Sequence, residues 1–410
     1  MMLKGNVIVG QSGGPTSVIN SSLAGVFKTA KDCGCKTVYG MRNGIEGLLN
    51  EKYVDLSEHI RNDLDLELLK RTPSSFLGSC RYKLPAPEKA PEIYEKLFGI
   101  LQKLDIKYFL YIGGNDSMDT IMRLSQYAEE IKSDIKFMGV PKTIDNDLAI
   151  TDHTPGYGSA AKYIAATMKE IICDAKIYDL ESITVVEIMG RNAGWLTAAS
   201  VLAKSEDCCG PDLIYLPERV FDLDEFLEKV KEVKSRKSTI VIAVSEGIRL
   251  ADGRYVCEAT SKEMVVDAFG HKYLGGTGLF LSNYLSQKLG VKSRAIEFST
   301  LQRCASHMVS RCDITEAFTV GAEAFLAAMN GETGKMIIFK RVSNAPYSVV
   351  ASLCDIKLIA NKEKCVPEEW ITDDGTYVTR DFEKYARPLI EGELDPFIVD
   401  GLPRHLHIEK

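Results

Sequence analysis

Short apolar runs alternate with longer amphipathic ones along most of this 410-residue chain, and that alternation limits the fold more than any other feature. "NVIVG" (6–10) reads as a buried strand, and "SVINSSLAGVFKTAKDCG" (17–34) reads as a helix with a glycine stop. "TVYGM" (37–41), "YFLYIGG" (108–114) and "KFMGVPK" (136–142) are strand-like, while 90–105 and 117–132 carry helical periodicity. The pattern resumes with strands at 183–190, 213–218 and 239–247 and a helix over 222–237. Strands that alternate with helices build parallel βαβ units. The predicted fold class is therefore α/β: two similar Rossmann-like domains with mainly parallel sheets and the site in the cleft between them. A boundary is expected near 148–160, where "LAITDHTPGYGS" is rich in Gly, Pro and Thr. This divides the chain into a domain over 1–150, completed by part of 300–410, a second over 151–300, and a C-terminal segment, 311–410, whose role the pattern leaves open. Within that segment a helix is expected near 315–329 and a strand near 336–340.

Bulk composition narrows the partners. Apolar residues make up 45% and charged residues 26%, with a net charge of -7, which disfavours nucleic acid as a partner. Eleven Cys are scattered without a CxxC pair, as expected of reduced thiols in a cytoplasmic protein. The N-terminal apolar run is too short for a signal peptide, and no stretch approaches a membrane span.

In open α/β sheets ligands bind at the carboxyl ends of strands, so the loops there carry the chemistry. The loop at 10–20 places Gly13 and Gly14 between a strand and a helix, where backbone can approach a phosphate. The loop at 73–84 carries Arg81, whose planar fork suits phosphate. Gly113 and Gly114 end a strand, and Asn115, Asp116 and Ser117 follow as helix-capping residue types. "PKTIDNDL" (141–148) concentrates Lys142, Thr143, Asp145 and Asp147 at one strand end, the cation, hydroxyl and carboxylates that phosphoryl transfer to an alcohol requires. "EIMGRNAGW" (187–195) brings Met189, Gly190 and Arg191, "VSEG" brings Glu246, and 293–303 brings Arg294 and Arg303. Each loop alone has an ordinary reading as a turn or a surface charge. Together they describe a pocket for several phosphates, a base and a polyol. The Lys-rich helix at 228–237 reads as a solvated face.

"SGGP", "GGNDS", "TIDND", "MGR" and "QR", in this order over about residues 5–310, resemble the phosphofructokinase family. The resemblance implies phosphoryl transfer to the 1-hydroxyl of fructose 6-phosphate with Mg2+. It implies Asp145 as general base, oriented by Asp147, with Thr143 at the transferring phosphoryl group or the sugar. Met189, Gly190, Arg191, Glu246, Thr300 and Arg303 would hold the sugar phosphate, and Gly13, Gly14, Arg81, Gly114 and Ser117 the donor. Arg294 would reach a neighbouring subunit's site, making a homodimer or homotetramer with shared sites.

ATP-using members usually carry Gly at the positions of Asp116 and Lys142, whereas pyrophosphate-using members carry Asp and Lys. A carboxylate at 116 repels the α-phosphate of a nucleotide. Lys142 can neutralise a leaving group that has no adenosine to anchor it. The expected donor is inorganic pyrophosphate, with ATP dependence as the alternative. A catalytically silent sugar-phosphate sensor and a sedoheptulose 7-phosphate kinase are further alternatives. Three positions depart from the family: Asn115 replaces a Mg2+-linked Asp and would hold the Mg2+ through its amide oxygen or a water, with less charge, Ser182 replaces an interface Arg, and Thr300 replaces His or Tyr.

Overall fold

The structure, a computed structural model, describes residues 5–177, 180–259 and 274–408. The strands run in chain order as β1 (Asn6–Gln11), β2 (Val38–Met41), β3 (Tyr53–Asp55), β4 (Ile106–Gly113), β5 (Lys136–Pro141), β6 (Ser182–Ile188), β7 (Leu213–Tyr215), β8 (Thr239–Ser245), β9 (Lys292–Glu297), β10 (Lys335–Asn344) and β11 (Tyr347–Asp355). They form a seven-stranded sheet ordered β11-β10-β5-β4-β1-β2-β3 and a four-stranded sheet ordered β7-β8-β6-β9. All pairs in the smaller sheet are parallel, and in the larger one only the outer strands β3 and β11 run antiparallel to their neighbours. The architecture is α/β throughout.

The apolar runs are continuous because both faces of each sheet are covered. In β1, Val7 and Val9 enter one core and Ile8 the other; in β4, Leu110 and Ile112 part from Phe109 and Tyr111 in the same way. In the smaller sheet Val186 and Ile188 belong to one core, and Ile183 and Val185 to the other. Among the described residues, no helix is long and apolar enough to cross a membrane.

The C-terminal segment serves both sheets. Its helix Arg311–Met329 crosses helix Ile19–Asp32 at backbone contact, with Gly25 and Gly321 at the crossing. A Cβ on Gly25 would lie 2.1 Å from the Phe318 carbonyl oxygen, and one on Gly321 2.1 Å from that of Ser22. Next, β10 pairs in parallel with β5. Beyond β11 the chain turns to the smaller sheet, where Val366, Ile371, Phe382 and Leu389 pack into the core of Val186, Ile188 and Trp195.

The Gly/Pro/Thr-rich stretch at 148–160 is not a solvated hinge. Thr151, His153 and Thr154 are buried in it, and His153 anchors a charge network. Its Nδ1 lies 2.8 Å from Asp152 Oδ1 and its Nε2 2.6 Å from Glu316 Oε2. Tyr347 donates to Glu316 at 2.6 Å, Arg341 Nη2 to Asp152 at 2.8 Å, and Phe339 stacks on the imidazole at a centroid distance of 5.0 Å. Burial alone would lower the His153 pKa, but Glu316 and Asp152 outweigh it and raise it from 6.5 to about 9. Burial likewise opposes ionisation of both acids, and His153 outweighs it and holds them below their usual values.

A raised histidine pKa stabilises the fold fully below the unfolded value and loses that contribution as pH climbs through the folded value. The thermal midpoint is therefore expected to fall between pH 6.5 and 9.5, and to fall less in His153→Gln. Glu316→Gln leaves the imidazolium without its buried partner and is expected to cost about 3 kcal/mol, read from denaturant unfolding at pH 7.

Candidate active site

A cavity of about 480 Å3 opens where the carboxyl ends of strands from both sheets face one another. The larger sheet contributes Ser12–Pro15 after β1, Gly114–Ser117 after β4, and Lys142–Asp145 with Asp147 after β5; Arg81 comes from the segment after residue 73. The smaller sheet contributes Met189 and Arg191–Ala193 after β6, and Glu246 after β8. Arg303 and Asn361–Glu363 complete the lining.

The loop after β1 is shaped by Gly13, at φ 76, a left-handed conformation that side chains disfavour. Gly13 N–H donates to the Cys80 carbonyl at 3.2 Å, and Ser79 Oγ donates to the Gly13 carbonyl at 2.6 Å. These bonds join the first loop to the segment carrying Arg81. Lys142 Nζ reaches the Gly14 carbonyl at 2.5 Å. A Cβ on Gly14 would lie 3.5 Å from Arg303 Nη1, so two cations close on this glycine pair.

The turn after β5 is built on Asn146, buried and left-handed at φ 54. Its Nδ2 donates to Tyr385 Oη at 2.8 Å and its Oδ1 accepts from Thr154 N–H at 3.1 Å. Asp145 and Asp147 on either side line the cavity. Thr143 Oγ1 accepts from Asp145 N–H at 3.0 Å and lies 3.4 Å from Asp145 Oδ2.

Desolvation dominates the electrostatics here. It raises the pKa of Asp145 against the pull of Lys142 and Arg191. It raises Asp147 to about 7, helped by Asp145 and Glu363, and Glu246 to about 8, helped by Asp145. It lowers Lys142 to about 8, opposed by Asp145 and Asp147. Acids and an ammonium thus titrate close together around neutral pH, which suits proton transfer.

The loop after β6 is held from β8. Ser245 Oγ donates to the Gly190 carbonyl, Gly190 N–H approaches Glu246 Oε1 at 3.5 Å, and Met189 N–H donates to Gln302 Oε1 at 3.3 Å. Gly190 shapes the loop without lining the cavity. Glycine 114 is the N-cap of helix Asn115–Glu130, which has no side-chain cap, so the capping role that Asn115, Asp116 and Ser117 could fill is not used.

Thr300 and Arg294 also fall outside the cavity. Thr300 is exposed ahead of the short helix Leu301–Cys304 and is absent from the lining. Arg294 stands mid-strand in β9, an edge strand, and is exposed; the 293–303 segment is thus half strand rather than the loop that the charge spacing suggests. Ser182 opens β6 at the end remote from Met189, in register with Lys292.

Asn115 is fastened. Its Oδ1 accepts from Asn361 N–H at 2.6 Å and its Nδ2 donates to the Lys362 carbonyl at 2.7 Å. Asn361 Nδ2 also donates to Asp119 at 3.0 Å. The same strap continues across the cleft. Lys364 N–H donates to the Asp147 carbonyl at 2.8 Å, Trp195 Nε1 to the Lys364 carbonyl at 2.8 Å, and Val366 N–H to Glu218 at 2.9 Å. "NKEK" (361–364) shows no glycine or strand-end signature, so only its folded position reveals it as part of the site.

The phosphofructokinase family profile matches residues 6–298. A pyrophosphate–fructose 6-phosphate 1-phosphotransferase from Xanthomonas campestris is 40% identical, aligned over all of this chain and 97% of its own. One from Methylococcus capsulatus is also 40% identical, over 98% and 95%. The crystal structure of a pyrophosphate-dependent phosphofructokinase from Nitrosospira multiformis superposes with a TM-score of 0.88 at 37% identity, over 98% of this chain and 96% of that one. Glycine-shaped strand-end loops, a buried acid–lysine centre and this likeness agree: the chain belongs to the phosphofructokinase family.

Proposed function

We propose that this protein transfers a phosphoryl group from inorganic pyrophosphate to the 1-hydroxyl of fructose 6-phosphate. The observation that carries the reading is the placement of Asp116 and Lys142 in the lining of one cavity with Asp145. The relatives named for pyrophosphate and fructose 6-phosphate support it over the full length.

Pyrophosphate lies against the loops at 12–15 and 114–117 and Arg81, and the sugar phosphate against Met189, Arg191, Glu246 and Arg303. Asp145 accepts the proton of the 1-hydroxyl as its oxygen bonds to the nearer phosphorus. The bridging P–O bond breaks and phosphate departs. Lys142 neutralises charge on the transferring and leaving oxygens, and Thr143 orients the acid. Asp116 excludes a nucleotide by charge and volume. With phosphate as product, the step is close to reversible.

Mg2+ fits this site, because burial, and after it the nearby Asp145 and Glu363, raise the Asp147 pKa, and a hard cation would offset both. Asn115, the expected Mg2+-linked position, spends its amide on the strap, which favours Asp147 as the residue that would hold the ion, with phosphate oxygens and water. Bound there, it supplies charge neutralisation at the phosphates.

Arg294, exposed on edge strand β9, is free to reach a second subunit, consistent with a homodimer or homotetramer sharing sites. A cytoplasmic, glycolytic setting follows from the substrates. The silent-sensor alternative is disfavoured by Asp145 sitting in the cavity beside its cation. The domain over 1–150 would bind the donor, and that over 151–300 the sugar phosphate.

Assays of purified protein with fructose 6-phosphate should show turnover with pyrophosphate and at least about 100-fold less with ATP; comparable rates overturn the reading of Asp116. Asp145→Asn should lower kcat by about 10²–10⁴-fold.

The rate should also be bell-shaped in pH. It falls in acid as Asp145 and its neighbours protonate, and in base as Lys142, near 8, loses its proton. Lys142→Arg should move the alkaline limb upward by at least one pH unit.

A further inference from the structure

Lys362 belongs to a strap that is pinned at both ends of the cleft, and its own pins are backbone. Its carbonyl accepts from the Asn115 amide at 2.7 Å, and the preceding N–H, of Asn361, donates back to Asn115 at 2.6 Å. This places Lys362 at the start of helix Asn115–Glu130, beside Asp116, and both residues line the cavity. Two residues on, Lys364 N–H is held by the Asp147 carbonyl at 2.8 Å, so the segment is fixed on the other side as well.

Of the other cations in the lining, Arg81 stands with the donor loops and the rest have assignments elsewhere. Lys142 donates to the Gly14 carbonyl at 2.5 Å and faces Asp145 and Asp147. Arg303 abuts Gly14. Arg191 faces Asp145 and Glu246. These charges gather at the junction of the two loop sets. Lys362, an exposed residue of the lining, makes no ion pair with a carboxylate among the described residues. Lys362 and Asp116 line the same cavity, so a lysine without a carboxylate partner is available to a phosphate that Asp116 would repel.

We propose that Lys362 is a donor-binding residue whose ammonium pairs with the outer phosphate of pyrophosphate, offsetting the repulsion from Asp116. The proposal rests on the pyrophosphate reading above. A pinned backbone lowers the ordering cost of this contact, because the only freedom left to lose is that of the lysine side chain. The strap thereby makes the donor pocket a product of the chain's C-terminal segment as much as of its N-terminal loops.

The test is steady-state kinetics of wild type, Lys362→Ala and Lys362→Arg, with calorimetric binding of methylene diphosphonate as a readout independent of turnover. Lys362→Ala should raise KM for pyrophosphate about tenfold and weaken diphosphonate binding by the same factor. KM for fructose 6-phosphate, kcat at saturation and the thermal midpoint should stay within twofold or about 1 °C of wild type. Lys362→Arg should restore most of the affinity. An unchanged pyrophosphate KM in Lys362→Ala overturns the proposal. So does an equal rise in both substrate KM values with a lowered thermal midpoint, which marks a purely structural strap. Failure of the pyrophosphate reading shows separately, as wild-type protein that turns over ATP but not pyrophosphate.

Discussion

The site depends on one backbone turn. Asn146 sits buried in the left-handed region, and this reversal lets Asp145 and Asp147 face the same cavity while the residue between them points into protein. The turn persists because both ends of the Asn146 amide are hydrogen-bonded, to Tyr385 and to Thr154. Asparagine tolerates this conformation better than most side chains, and burial makes the loss of either bond expensive. Tyr385 in turn donates to the Asp152 carbonyl at 2.8 Å, joining the turn to the ionic network around His153. The acids therefore stand on a continuous polar lattice, not on a mobile loop.

That lattice explains how strongly charged residues survive in a desolvated cleft. Each buried charge is either matched or left for a ligand to match. His153 is matched by Asp152 and Glu316 and stays ionised far above its usual range. Lys142, Asp145 and Glu246 are matched only in part, and their pKa values move toward neutrality. The first arrangement stabilises the fold, and the second leaves groups able to give and take protons and to receive phosphate.

The residues gathered in the cavity were legible because most lie just beyond strand ends. Gly13, Asp116, Lys142, Asp145 and Arg191 each come within about four residues of a strand's end, and parallel sheets bring such positions to one edge. The strap at 361–366 was not legible, since no local signal distinguishes "NKEKCV" from an ordinary surface loop. Nor was the His153 network: a stretch rich in Gly, Pro and Thr reads as a solvated boundary, and its burial comes from β10 and helix Arg311–Met329, which lie far away in sequence. Arg294 lies on a strand and not on the loop that the charge spacing suggests, because a partly exposed edge strand lacks the continuous apolar run that marks a buried one.

By itself, the sequence determined the α/β class, the order of the functional loops and the residue types that carry the chemistry, because these follow from local periodicity and from what can stand beside a phosphate. Only the tertiary structure decided which charges are paired and which remain available. Pairing depends on contacts such as Asn115 with Asn361 and His153 with Glu316, separated by 246 and 163 residues. No local pattern encodes such contacts, and burial then sets the pKa values on which proton transfer depends.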